Sequence, residues 1–393
     1  MRPIYLDHHA TTPLDPRVLD AMLPYFREDF GNASSATHVY GWRAEAAVED
    51  ARERLAAAIG AADPAELVFT SGTTESDNLA LLGVARAGRP RRDHVVTSAI
   101  EHPAVLDACD ALEREGCRVT RLRVDGEGRV DLSQLAEVVD EHTALVSVGA
   151  ANGEIGVLQP MREIAALCRA RGVPLHSDAA QAVGKVPIDV AEQGIDLLSF
   201  CAHKLYGPKG VGALYVRGGR PRIRLEPILH GGGHEAGRRS GTLPVPLCVG
   251  FARAVELCVA ECGEEAARQR GLRDGLWERL CAALPGLHRN GPAEPRLPGN
   301  LNVSFDGVRA EALLPALPEL ALSTGSACSS SSGKPSHVLT ALGLPVERVR
   351  GALRIGLGRG TSADEIEIAA QRLVAEVSAA RNPNSRATLG ARS

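Results

Sequence analysis

The sequence is poor in aromatic residues, which make up 3% of its 393 positions. Stacking platforms of the kind that hold single-stranded nucleic acid are therefore not expected. Charge of one sign is also lacking: 44 Lys and Arg stand against 48 Asp and Glu, a net charge of −4. Without a basic excess or a basic run, capture of nucleic acid or an anionic membrane by bulk charge is excluded. No apolar stretch approaches the length of a membrane span. The start, MRPIYLDHHATTP, carries Asp7 where a secretion signal needs an unbroken apolar region. Paired cysteines are missing too. Nine is an odd number and no CxxC spacing occurs, which excludes a complete disulfide framework. Cys258 and Cys262, the nearest pair, share a helical face with Val255 and Val259 and read as small packed hydrophobes. These absences predict a globular, cytoplasmic protein of a reducing compartment, with at least one cysteine left to explain.

Hydrophobic residues at 44% and charged residues at 23% suit a folded chain. At roughly 150 residues per domain the length predicts two or three domains. Short apolar runs read as strands at Leu67–Thr70, His94–Ser98, Arg118–Arg123, Ala144–Val148, Leu175–Ser177, Asp196–Phe200 and Ala213–Val216. Helix-length patterns alternate with them at Asn78–Arg86, Pro103–Glu115, Leu132–Val139 and Met161–Arg171. That rhythm predicts an α/β fold with a mostly parallel sheet covered on both faces. In such a sheet, functional residues gather on loops at the carboxyl ends of strands. After about Gly250 a long helical stretch, Phe251–Leu284, leads to turn-rich sequence, a strand at Leu301–Phe305 and a last helix near Ser362–Ala380. The expected division is an N-terminal segment (1–15) packing with the small domain, a large domain (16–255) and a small α+β domain (256–393).

Chemistry concentrates in a few motifs. TSGTTESDN (Thr70–Asn78) follows a strand and opens a helix, where its small and hydroxylated residues leave backbone N–H groups free for an anion. The same residues suit an ordinary N-cap. In DLLSFCAHKLYGPKGVGALYV (Asp196–Val216), Lys204 follows a buried strand end, where desolvation can make its amine a usable nucleophile; a snorkelling lysine is the alternative. VPLHSDAAQAVGK places Asp178 at another strand end with Gln181 nearby. A strand-end Asp with a reactive lysine is the pairing expected for pyridoxal phosphate, whose ring nitrogen the Asp keeps protonated. His102, before Pro103 in SAIEHPAV, suits either a helix cap or a ring stacked on a cofactor. Cys328 in STGSACSSSSGK is surrounded by loop residues rather than hydrophobes, as a working thiol would be. Arg354 in ALRIGLGRG suits bidentate capture of a carboxylate, with Arg359 a second candidate.

In chain order, YLDHHATTP, FGNASSATH, TSGTTESDN, ANGEIGV, SDAAQAVGK, CAHKLYGPKGVGALYV, HGGGHEAGRRSGTLP, LNVSF, STGSACSSSS and LRIGLGR resemble the cysteine desulfurases of the NifS/IscS type. These are class V aminotransferase relatives among the fold-type I pyridoxal-phosphate enzymes. The resemblance implies a large domain built on a seven-stranded sheet, a smaller α+β domain and a homodimer. It matches Lys204 with the Schiff-base lysine, Asp178 with the partner of the ring nitrogen and His102 with the stacked histidine. Thr73, Thr74, Cys201, His203 and, from a second subunit, Thr242 fall at cofactor phosphate positions. Asn152 and Gln181 fall near the cofactor's O3′ and the substrate, Arg354 at the substrate carboxylate and Cys328 at the persulfide-forming cysteine. Two departures stand out: Cys201 replaces the usual Ser, a weaker donor, and the tail RNPNSRATLGARS lacks the ending by which some members engage an iron–sulfur scaffold.

The implied activity takes sulfur from L-cysteine, leaves L-alanine and loads Cys328 for an acceptor protein in iron–sulfur cluster assembly or thiolation of a cofactor or tRNA. His102 is the expected proton acceptor for the thiol. No metal site is expected, save contact of Cys328 with an iron–sulfur cluster during transfer. The alternatives are an aminotransferase or a cysteine/selenocysteine C–S lyase on the same fold, or a silent sulfur-relay protein.

Overall fold

The structure, a computed structural model, describes residues 3–325 and 335–382. Its strands in chain order are β1 (Ile4–Tyr5), β2 (Leu67–Thr70), β3 (His94–Ser98), β4 (Arg118–Leu122), β5 (Thr143–Ser147) and β6 (Leu175–Asp178). There follow β7 (Leu197–Cys201), β8 (Gly212–Val216), β9 (Leu287–Arg289), β10 (Asn300–Phe305), β11 (Leu320–Ala321) and β12 (Ala352–Gly356). The runs LVFT, TALVS, LLSFC and GALYV are buried at every position, as strands covered on both faces must be. With β3, β4 and β6 they form a seven-stranded sheet of order β2-β8-β7-β6-β5-β3-β4. All the strands read from the first half of the sequence belong to it.

The sheet is parallel from β7 to β4, while β8 runs antiparallel to both β2 and β7. The reason lies in the connection. Residues 202–211 between β7 and β8 are too few for a crossover helix, so the chain turns straight back. That turn carries His203 and Lys204. The parallel strands β3, β6 and β7 all deliver their carboxyl ends to the same edge, and with them His102, Asp178 and Lys204.

A second, three-stranded antiparallel sheet has the order β12-β10-β9, and β1 pairs with β11 in parallel. One 39-residue helix, Val245–Ala283, serves two cores. Its first half buries Val245, Phe251 and Val255 against the large sheet, and Leu276 and Leu280 join Leu301, Val303, Leu353 and Leu373 farther on. Positions 255 and 256, where the sequence suggests a division, lie within this helix. It begins before Phe251 because Pro246 is tolerated in a first helical turn.

The helix Val39–Ala58 was not legible beforehand. Its buried stripe is Ala44, Ala47, Val48, Ala51 and Leu55, spaced as a helix face but made mostly of alanine. Among the described residues no helix is long and apolar enough to cross a membrane.

Candidate active site

A cavity of about 500 Å³ opens at the carboxyl edge of the large sheet. Every candidate read from the sequence lines it except Thr242, Cys328 and the second arginine, Arg359, which is paired with Asp15 and Glu261 instead. Thr242 is exposed and away from the cavity of its own chain. Cys328 lies outside the described residues.

Lys204 ends a short turn after β7, and its Nζ donates to the carbonyls of His9 at 2.6 Å and Ala10 at 2.7 Å. Burial pushes its amine below the ordinary lysine range. The motif around His9 thus supplies the groups that hold the lysine, a role its sequence did not disclose. Asp178 closes β6 and accepts the Ala180 N–H at 2.9 Å. Burial raises its carboxyl, while His102 and Lys204 pull it back down. Asp77 and Glu101 lie behind it, and both are driven up by burial, Glu101 to about 7. Glu101 accepts from the Ser98 hydroxyl at 2.5 Å and from the Gly149 N–H.

His102 satisfies both readings of its motif at once. It caps the helix Pro103–Arg114, with its Nδ1 accepting the Ala104 N–H at 3.1 Å, and its ring lines the cavity. A backbone N–H only donates, so the neutral ring carries its proton on Nε2. Burial lowers the pKa of His102, favouring that neutral form. The expectation that His102 accepts the thiol proton needs revision in the geometry described. Its one free lone pair is already engaged, so the resting ring presents a donor.

The helix Thr73–Gly88 begins at the cavity with no side chain capping its first turn. Thr73 Oγ1 is buried and, among the described residues, has no oxygen or nitrogen partner, only the Cys201 thiol beside it. Such a hydroxyl and open N–H groups at a helix start fit an anion such as a phosphate. Cys201, buried at the end of β7, faces Thr73 from the sheet side. His203 Nδ1 lies 3.1 Å from Thr11 Oγ1, and burial lowers its pKa to about 4.

Arg354 on β12 is nearly inaccessible, and its NH2 group donates to Asp7 Oδ1 at 2.7 Å. Among the described residues its Nε has no partner. One amino group of the guanidinium is therefore anchored on Asp7, while the other has no hydrogen bond among the described residues. Asn152 and Gln181 are more occupied than their sequence suggested. Asn152 Oδ1 accepts from Glu154 and Ile155, and its Nδ2 donates to Ile100. Gln181 binds His9 at its carbonyl and ring, and accepts from Lys185. Asp7, His9 and Lys185 went unassigned because nothing local marks them. Their partners lie far away in sequence.

Residues 4–368 match the aminotransferase class-V family. The chain is 53% identical over 376 residues to a mitochondrial cysteine desulfurase of Drosophila melanogaster, spanning 96% of this chain and 81% of that one. Among solved structures, a NifS-like protein superposes with a TM-score of 0.89 at 37% identity, covering 96% of this chain and 99% of the other. SspA in complex with cysteine matches with a TM-score of 0.78 at 38% identity, over 90% and 98% of the two chains. By this extent of match, the chain belongs to the aminotransferase class-V family, among its cysteine desulfurases.

Proposed function

We propose that the chain is a pyridoxal-phosphate-dependent cysteine desulfurase that converts L-cysteine to L-alanine and leaves the sulfur as a persulfide on Cys328. The observation that carries this reading is the convergence of a desolvated lysine, a buried strand-end aspartate, a capping histidine and a half-anchored arginine around one cavity. The likeness to SspA in complex with cysteine supports the substrate.

The donor set fits the cofactor. The open start of the helix Thr73–Gly88, Thr73 and Thr74 would hold its phosphate, with Cys201 and His203 beside them. Asp178 would hold a proton on its ring nitrogen, and Lys204 would bind it through the amine. When bound, the cofactor supplies an electron sink that acidifies the substrate Cα–H.

The chain's own groups do the rest. Arg354 receives the substrate carboxylate on the edge that Asp7 leaves free. Lys204 Nζ, whose charged form burial disfavours, takes the Cα proton and can return a proton to carbon. His102 Nε2–H donates toward the reacting centre; taking a proton would require loss of its helix cap. The Cys328 thiolate attacks the substrate sulfur, so that an S–S bond forms as the C–S bond breaks. The electron pair left on Cβ takes a proton, giving alanine. The sulfur added to Cys328 equals the sulfur lost from cysteine.

A homodimer in which Thr242 reaches the neighbouring cavity agrees with its exposure and its distance from its own. The exposed side chains of Leu19, Phe26, Phe30, Tyr40 and Trp42 supply apolar surface for such a contact. An acceptor protein of iron–sulfur cluster assembly or of thiolation would take the sulfur, and the cytoplasm is the proposed setting. The test is mass spectrometry of the Cys328 peptide after incubation with L-cysteine. A gain of one sulfur atom, absent in C328A, is expected; sulfur transfer unchanged in C328A defeats the reading.

A further inference from the structure

Behind Lys204, which lines the cavity, lies a second buried lysine, Lys185, which does not line it. Lys185 Nζ donates to Gln181 Oε1 at 2.7 Å, and Gln181 Nε2 donates to the His9 carbonyl at 2.9 Å. That same carbonyl accepts from Lys204 Nζ at 2.6 Å. Lys185 and Lys204 also share the wall of a smaller cavity of about 30 Å³, room for a water or two. Every direct partner of the two amines is a neutral oxygen; neither amine forms an ion pair among the described residues.

The surroundings add little compensation. Around Lys204 stand Cys201, Arg354, Asp178 and Asp7, with the rings of His9, His102 and His203. Asp178 and Asp7 favour the ammonium, but Arg354 opposes it and already holds Asp7. Lys185 meets Lys204, Arg354, Cys201 and Cys258, with His8 and His9 beside it and Glu261 and Glu265 on the small cavity's far wall. Its pKa falls to about 7, through burial first and Lys204 second. Two ammonium groups joined by neutral acceptors repel, and a charge on one disfavours a charge on the other.

We propose that Lys185 is a positioning residue for Lys204. It fixes Gln181 and the His9 carbonyl and, by its own positive charge, disfavours the ammonium form of Lys204. This rests on Lys204 being the working amine, and it adds a second, non-reacting amine as the group that tunes it. The sign is fixed by geometry: a permanent charge at position 185 lowers the pH at which Lys204 loses its proton, and removal of the charge does not.

The experiment is competitive acylation of the full-length chain with trace acetic anhydride across a range of pH, before loading with pyridoxal phosphate. Lys204 and Lys185 peptides are quantified by mass spectrometry in the wild type, K185R and K185M. The Lys204 midpoint in K185R is expected at least about one pH unit below that in K185M, a tenfold difference in proton affinity, with the wild type between. In the loaded protein, the pH at which the visible absorbance changes should follow the same order. Equal midpoints in the two variants, or the reverse order, overturn the proposal. Should K185R fail to fold, the reciprocal effect serves: in K204M the Lys185 midpoint must rise, and an unmoved midpoint overturns it. Acylation needs no turnover. A chain that shows the split but forms no persulfide keeps the amine pair and loses the desulfurase reading.

Discussion

Replacing Arg354 should cost the protein its preference for a substrate that carries a carboxylate. Arg354 spends one amino group on Asp7 at 2.7 Å, its side chain is 3% exposed, and its Nε is unpartnered among the described residues. A substrate carboxylate would thus meet a charged, dehydrated and pre-aimed donor edge, where a charge-assisted hydrogen bond contributes about 2–3 kcal/mol. At 1.36 kcal/mol per factor of ten, that is roughly a 30- to 150-fold preference. Lysine at this position keeps the charge but offers one point donor, which Asp7 would compete for. The assay compares L-cysteine with cysteamine, which lacks the carboxylate, by the absorbance change each produces in the loaded protein. The ratio of their affinities should fall by that factor in R354A and partly in R354K. Using a ratio within each variant cancels any loosening of β1 and β12 from the unpaired Asp7. If R354A weakens both ligands equally, Arg354 acts on the fold and the carboxylate assignment is refuted.

His102→Asn should keep the helix cap and lose the ring: stability to urea stays within about 0.5 kcal/mol, H102A loses about 1 kcal/mol, and both variants lose persulfide formation. C201S should retain pyridoxal phosphate more tightly, by roughly three- to tenfold in equilibrium dialysis, because a hydroxyl donates where a thiol barely does; unchanged retention would mean that position 201 does not face the phosphate. Glu101 has a folded pKa raised from 4.5 to about 7, so the folded state binds the extra proton and stability falls as pH rises between those values. E101Q should remove that fall, worth roughly 3 kcal/mol between about pH 4.5 and pH 7, as read from urea midpoints at several pH values. A slope that survives in E101Q would assign it to another group, Asp77 first.

Local pattern made much of this molecule legible in advance. Apolar runs of four or five residues, separated by amphipathic stretches, are enough to specify buried parallel strands and their crossovers, and the seven strands of the large sheet followed from them. Strand ends also told where to look, which is why Lys204, Asp178 and His102, which line one cavity, could be named as candidates from sequence. The helix Val39–Ala58 was not, because an alanine-rich stripe carries little contrast between its buried and exposed faces.

What remained hidden is of a different physical kind. The candidate functional side chains followed from residue type and position beside a strand end, and those are properties of a few consecutive residues. Their partners are not. Asp7 meets Arg354 across 347 positions, and His9 meets Lys204 across 195. Such pairs exist only once the order of strands in a sheet has been chosen. Sequence alone therefore determined which groups could do chemistry. The folded chain decided how readily each one holds a proton, because burial, the His102 cap and the Lys185–Gln181–His9 bridge are made by residues that no local pattern brings together.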